Sequence, residues 1–136
     1  MVRICSYNCP GQIVIGGEAD AVARAGELAK AAGARRLLPA RQPAPTRRRC
    51  SPPPKRCTSA LGPNPSAKCR FPVLFNCSRP GKGSETIPSL LERQVVSPVM
   101  MEDTLRELAR LGVDTFVEIG PGTALSGFVR KTLAHR

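Results

Sequence analysis

Cysteine and histidine are the side chains best suited to nucleophilic, redox or metal chemistry, and the chain has six of the first and one of the second. Each of those chemistries makes a spacing demand. A zinc site wants close Cys/His pairs, yet Cys50, Cys57, Cys69 and Cys77 contain no C-x-x-C step, and His135 is the lone histidine. A disulfide framework wants a secreted context, and the first residues lack the basic, apolar and small-residue succession of a signal peptide. Free thiols and no metal are therefore expected. A serine nucleophile would stand in a G-x-S-x-G elbow, a pattern that occurs nowhere in the sequence. Gly120-Pro121-Gly122 is expected to follow a strand and open a helix, where main-chain N–H groups attract anions. It lacks the full phosphate-loop pattern, so a plain structural turn is an equal reading. His135, near the terminus, is expected to be solvated and idle.

The elements that would carry these residues fall into three stretches. Ile4 to Ile15 gives two β-favouring runs around the turn cluster Asn8-Cys9-Pro10-Gly11, which predicts a hairpin ended by Gly16-Gly17. Ala21, Val22, Ala25, Leu28, Ala29 and Ala32 then recur at helical spacing, with Glu18 and Asp20 at the start and Gly33 as the stop. Arg36-Leu37-Leu38-Pro39 follows as a short strand. This order suits half of a small α+β subdomain over residues 1–39.

Residues 40–70 keep neither period. They hold eight basic residues and no acidic one, so the net charge of +11 leaves only +3 for the rest of the chain. Seven of the fourteen prolines and three of the six cysteines lie there too. Such a composition buries too little apolar surface to offset the entropy of ordering, and a disordered linker is expected. A basic run of this kind also suits a nucleic-acid-binding tail. It has no aromatic residue for base stacking, which makes a nucleic-acid partner the weaker expectation.

From residue 71 to 136 order returns. Phe71 to Phe75 predicts a short buried strand, Ile87 to Val96 a helix with Leu90, Leu91 and Val95, and Glu102 to Leu111 a second helix stopped by Gly112. Asp114 to Ile119 predicts a strand, and Leu125, Phe128, Val129 and Thr132 mark one face of a last helix. Alternation of this kind predicts an α/β layer with parallel strands. No run of 18 apolar residues appears, so no membrane span and a cytoplasmic location are expected.

Two blocks of residues carry a resemblance. Ser6-Tyr7-Asn8-Cys9-Pro10-Gly11-Gln12-Ile13-Val14-Ile15-Gly16-Gly17 is similar to the N-x-N-S-P-G-Q-V-V-I-x-G stretch of the malonyl-CoA:acyl-carrier-protein transacylase family, with Cys9 in the place of serine. Arg93-Gln94, Ser97-Pro98-Val99 and Gly112 to Gly122, followed by Leu125-Ser126-Gly127, resemble the family's C-terminal half. The resemblance covers residues 3–39 and 71–133. It implies an α/β fold: the C-terminal fragment of an α/β-hydrolase-like acyltransferase domain (71–136) plus half of a ferredoxin-like α+β subdomain (1–39), around the disordered Arg/Pro-rich middle (40–70). The intact family member is expected to be a monomer, and the fragment prone to aggregate through open strand edges and apolar faces.

The implied activity is transfer of a malonyl group from coenzyme A to the phosphopantetheine thiol of acyl carrier protein, in fatty-acid or polyketide synthesis. These are substrates and partner; no bound cofactor is implied. The family's serine needs a histidine as base, because a free hydroxyl is a poor nucleophile at neutral pH. By resemblance that histidine belongs at Thr46, so no catalytic residue is retained and the chain is expected to be inactive. Gln94 matches the glutamine whose main-chain carbonyl orients that histidine. Asn8 and Gln12 sit on the hairpin beside the family's cleft and are candidates for lining the pantetheine channel, against a pure turn role.

The genetic code offers an origin for the middle. Taking the third base of each preceding codon with the first two of the next, Thr46 permits His, Cys50 permits Met, Lys55 permits Glu and Cys57 permits Leu. The recovered string His-Thr-x-x-Met-Leu-Pro-Ala-Ala-Glu-Ala-Leu resembles the family's H-S-x-x-M-x-P-A-A-E-x-L. Residues from about 41 to about 70 are thus expected to be translated out of frame, with the fit weakest over 40–45.

Overall fold

The computed structural model describes residues 1–34, 71–77 and 86–134. Val2–Cys9 (β1) and Gln12–Gly17 (β2) form an antiparallel hairpin. Pro10 and Gly11 are its two-residue loop, with Cys9 opposite Gln12. Proline sets the first turn residue and Gly11 takes φ 74° at the second, so the turn cluster fixes the register locally. Register shifts between Ile4 and Ser6 and between Tyr7 and Cys9 mark bulges that increase the local twist of β1. The hairpin closes tightly at its open end. A Cβ on Gly17 would run into the Met1 carbonyl oxygen and lie 2.8 Å from Val2 Cα, so glycine is the residue that fits.

Ala19–Ala31 forms α1, with Gly33 at φ 92° just past its end, as the sequence predicts. Ala21 is buried and Val22, Ala25 and Ala29 are half-buried, but Leu28 is 71% exposed and Ala32 is exposed, so the face read from spacing is covered in part. Ile87–Val96 (α2) matches its expected span. Its N-cap is Thr86, whose side chain accepts from Ser89 N at 3.4 Å, and proline sits in the first turn, where no helical N–H is lost. Val99–Met100 (β3) pairs parallel to β1 through Ser6↔Val99 and Tyr7↔Met100.

Met101–Arg110 (α3) follows directly. Its polar face carries Glu102–Arg106 and Glu107–Arg110 ion pairs at 2.8 and 2.6 Å, while Thr104, Leu105 and Ala109 face inward. Hydrogen bonds from Arg110 hold the Glu107 carboxyl below the usual carboxylate range. Ala124–Leu133 (α4) packs on α3 and β1. The outcome is an α/β arrangement of four helices and one small mixed sheet, ordered β2-β1-β3, among the described residues. The centre of the packing is β1, which touches β2, β3, α3 and α4.

Three expectations need correction. Phe71 to Phe75 is not a buried strand: Phe71 is 71% and Val73 47% exposed, and no ladder includes them. Asp114 to Ile119 is not a strand either, with Val117 79% and Ile119 95% exposed. Both runs have β-favouring side chains, but a strand exists only where another backbone meets its N–H and C=O groups, and none does among the described residues. For the same reason the sheet is mixed, with its longest pairing antiparallel, rather than a parallel layer. The strand expected at Arg36 to Pro39, the linker at 40–70 and the solvated His135 lie outside the described residues.

Candidate active-site face

The last turn of α2 is tied to the Asn76-Cys77 peptide. Gln94 Nε2 donates to Asn76 Oδ1 at 3.1 Å, and the Asn76 carbonyl accepts from Met100 N at 2.7 Å. Cys77 adds a third tie, its thiol donating to the Leu90 carbonyl at 3.5 Å. One short peptide, Asn76-Cys77, thereby fastens α2 to β3 and, through the Tyr7↔Met100 pair, to β1. Among the described residues the Gln94 carbonyl accepts only a long bond, 3.4 Å, from Ser97 N. A carbonyl oxygen has two lone pairs, so this one retains acceptor capacity toward a further donor.

The hairpin residues behave differently. Gln12 turns its Oε1 back to accept from the Cys9 thiol at 3.5 Å, and Cys9 is 1% exposed. That contact engages the oxygen of the Gln12 amide. Asn8 is half-buried on β1, and its amide makes no side-chain bond among the described residues. Neither residue is hydrogen-bonded to Gln94, so the three candidates are not joined into one constellation. Thr46, the place of the expected histidine, lies outside the described residues.

Spacing gave no hint of Asn76 or Glu118. The Glu118 carboxylate reaches across the Gly120-Pro121-Gly122 turn to the start of α4. There it accepts from Leu125 N at 3.1 Å, Ser126 N at 2.9 Å and Ser126 Oγ at 2.6 Å. Those bonds, the Ser126 hydroxyl foremost, hold its carboxyl below the usual range. The turn therefore does not present an open anion site: the protein's own carboxylate already occupies the helix N-terminus, where negative charge is favoured. Glycines at φ 143° and 90° on either side of Pro121 let the chain reverse sharply enough for this contact. The signal was hidden because the capping acid precedes the turn instead of standing one residue before the helix.

A separate cavity of about 650 Å³ opens between the hairpin turn and the ends of α3 and α4, lined by Pro10, Arg106, Ala109, Lys131 and Thr132 among others. It does not include Gln94 or Asn8. Cys5, Cys9 and Cys77 are free thiols. Among the described residues no cluster of three or more His, Cys, Asp or Glu side chains forms a metal-holding group, and no helix is long and apolar enough to cross a membrane.

A hairpin, one parallel pairing and helices packed on the central strand define an α/β protein whose polar ties converge on the end of α2. Similar proteins give that arrangement its family. The chain is 38% identical over 133 residues to the malonyl CoA-acyl carrier protein transacylase of Bacillus subtilis, covering 96% of this chain and 42% of that one. It is 32% identical to the protein of that name from Staphylococcus aureus, covering 96% and 43%. Among solved structures it superposes on MCAT from Streptococcus pneumoniae with TM-score 0.85 and 37% identity, covering 97% of this chain and 44% of the other. A second neighbour is PlMCAT:AntF, a type II PKS acyl-carrier protein in complex with its malonyl-transacylase, at TM-score 0.82 and 32% identity, covering 98% and 44%. No family model matches. The chain belongs to the malonyl CoA-acyl carrier protein transacylase family. It spans less than half the length of the curated relatives it matches.

Proposed function

We propose that this chain is the C-terminal part of an enzyme that moves a malonyl group from coenzyme A to the phosphopantetheine thiol of acyl carrier protein, in the cytoplasm, for fatty-acid or polyketide synthesis. The observation that carries the reading is the backbone match over 97% of the chain to a transacylase at TM-score 0.85 and 37% identity. Gln94 supports it. Its under-used carbonyl, at the end of a helix held by Asn76 and Cys77, is a suitable acceptor for the N–H of a histidine base, fixing the tautomer that takes a proton. Asn8 and Gln12 are both candidates for lining the substrate channel; Asn8 is the better of the two, half-buried on β1 with an amide that makes no side-chain bond among the described residues, whereas the Gln12 Oε1 accepts from the Cys9 thiol.

The same reading makes this chain inactive alone. Its sequence has no G-x-S-x-G nucleophile elbow, and Thr46 stands where the base belongs. An out-of-frame stretch from about residue 41 to about 70 accounts for both the lost histidine and the Arg/Pro/Cys composition. The test is release of coenzyme A from malonyl-CoA in the presence of phosphopantetheinylated carrier protein. Background rates are expected, and turnover by the purified chain would overturn the reading. Sequencing the gene across codons 38–72 tests the frame: independent clones bearing the same codons in an intact reading frame count against it.

A further inference from the structure

A helix leaves its last carbonyls without an intrahelical donor, and in α2 these include the carbonyl of Gln94. In a continuing helix that oxygen would accept from the amide four places on. The residue four places on is Pro98, which has no N–H to give. Proline also keeps the residue before it out of the helical region, and Ser97 is accordingly extended, at φ −100° and ψ 154°. The Ser97 amide, three places on, reaches the Gln94 carbonyl only at 3.4 Å. The helix's own competitor for this oxygen is thus removed by a covalent property of one residue, irrespective of the rest of the chain.

An open carbonyl orients a partner only if its own direction is fixed, and helix ends fray. Here the Gln94 side chain, at an exposed position, supplies the hold: Nε2 donates to Asn76 Oδ1 at 3.1 Å. Asn76 is itself anchored, because its main-chain carbonyl accepts from Met100 N at 2.7 Å, and its neighbour Cys77 donates to the Leu90 carbonyl at 3.5 Å. The Ser97-Pro98 corner is therefore bridged from one side to the other by a single peptide, with Leu90 and Gln94 before it and Met100 after it.

We propose that Pro98 and Asn76 are positioning residues for the Gln94 carbonyl: Pro98 withholds the donor that would close it, and Asn76 fixes the direction in which it points. The group they prepare for is an N–H donor that turns cationic, the imidazole of a base, since the negative end of the α2 dipole favours positive charge beside it. Neither residue touches the reacting atoms, and both act through Gln94. The inference rests on the reading in which that carbonyl orients a histidine, while the arrangement itself is testable in this chain without the base.

The test is made on the full chain by NMR. Pro98→Ala restores an amide at position 98, and that amide is expected to bond to the Gln94 carbonyl. Its exchange then slows by roughly tenfold or more against the unprotected rate, and the Gln94 carbonyl carbon resonance moves with it. Asn76→Leu removes the acceptor for the Gln94 amide. The order parameter of the Gln94–Val95 peptide plane, read at the Val95 amide, is expected to fall from about 0.85 to below about 0.6, the values of rigid and flexible backbone. Gln94→Met cuts the same bond from the other side, leaving the main-chain carbonyl and all of Asn76 in place, and carries this arm if Asn76→Leu does not fold. The two substitutions together are expected to loosen the plane no more than either alone, with the Met100 amide still protected in Gln94→Met. A role in stability alone would lower the melting temperature without moving that plane. The proposal is overturned by a position-98 amide that exchanges at the unprotected rate, by a Val95 order parameter that stays rigid in Gln94→Met, or by loosening that spreads to Met100. Release of coenzyme A by the unsubstituted chain bears on the proposed function and leaves these readouts unaffected.

Discussion

Ile13-Val14-Ile15 and Val117-Glu118-Ile119 are made of much the same material, β-branched side chains beside a glycine turn, yet the first is part of a ladder and the second is not. Exposure does not separate them, since Ile13 is itself 57% exposed. What separates them is the chain next door. Pro10 and Gly11 return β2 against β1 at once, so its partner is two residues away in sequence. Residues 114–119 have no strand neighbour within that reach, and none pairs with them among the described residues. Strand propensity therefore measures readiness to pair, and pairing itself is a property of what else the molecule contains.

The largest expected effect tests whether the sheet is held by the helix behind it. Leu105 is 5% exposed on α3, and Leu105→Ala is expected to cost about 2–5 kcal/mol in denaturant unfolding, since a cavity there removes contacts with the central packing. An effect near zero would mean that β1 does not depend on α3. Gly17→Ala comes next: the added Cβ meets main-chain atoms, which cannot rotate away as a side chain can, and about 1–3 kcal/mol of stability is expected to be lost.

Glu118→Gln addresses the second region. It removes the charge from the cap of α4, and faster hydrogen exchange at Leu125 and Ser126 is expected with the hairpin unchanged. The pH dependence has a definite sign. Because the folded-state pKa lies below the ordinary carboxylate value, the stabilisation is present above the unfolded pKa and fades as pH falls through the folded one. Acid titration of the native chain is expected to loosen α4 before the hairpin, and the Gln variant to lose that acid step. Smallest of all, Val117→Ala is expected to change stability by no more than about 0.5 kcal/mol, because 79% of that side chain is already in water. A clear loss would show the outer face of 113–119 to be covered.

How much was legible beforehand follows from which signals are local. The hairpin, α1, α2, α3 and the last helix were readable because turn residues, stop signals and periodicity act within a few positions: Pro10-Gly11, Leu90 with Leu91 and Val95, Gly33 and Gly112. Gln94 was found through family resemblance, but its bond to Asn76 was not, since the two are 18 residues apart and nothing in either stretch announces the other. Glu118 escaped for a related reason, capping a helix from the far side of a turn. The strands expected at 71–75 and 114–119 were misjudged because their β-favouring composition was taken as pairing.

Sequence alone determined the local geometry of this chain: where it turns, where helices begin and stop, and the family motifs carried on its two patterned stretches. Those features depend on dihedral preferences and short-range hydrogen bonds, which a few neighbouring residues specify. Only the tertiary structure decided that β3 pairs parallel to β1, that Asn76 and Cys77 fasten α2, that the Gln12 Oε1 accepts from Cys9, and that Glu118 fills the helix terminus where an anion would otherwise sit. Each of those is a contact between groups brought together by the folded backbone, and proximity in space is the one quantity that residue spacing along a chain does not fix.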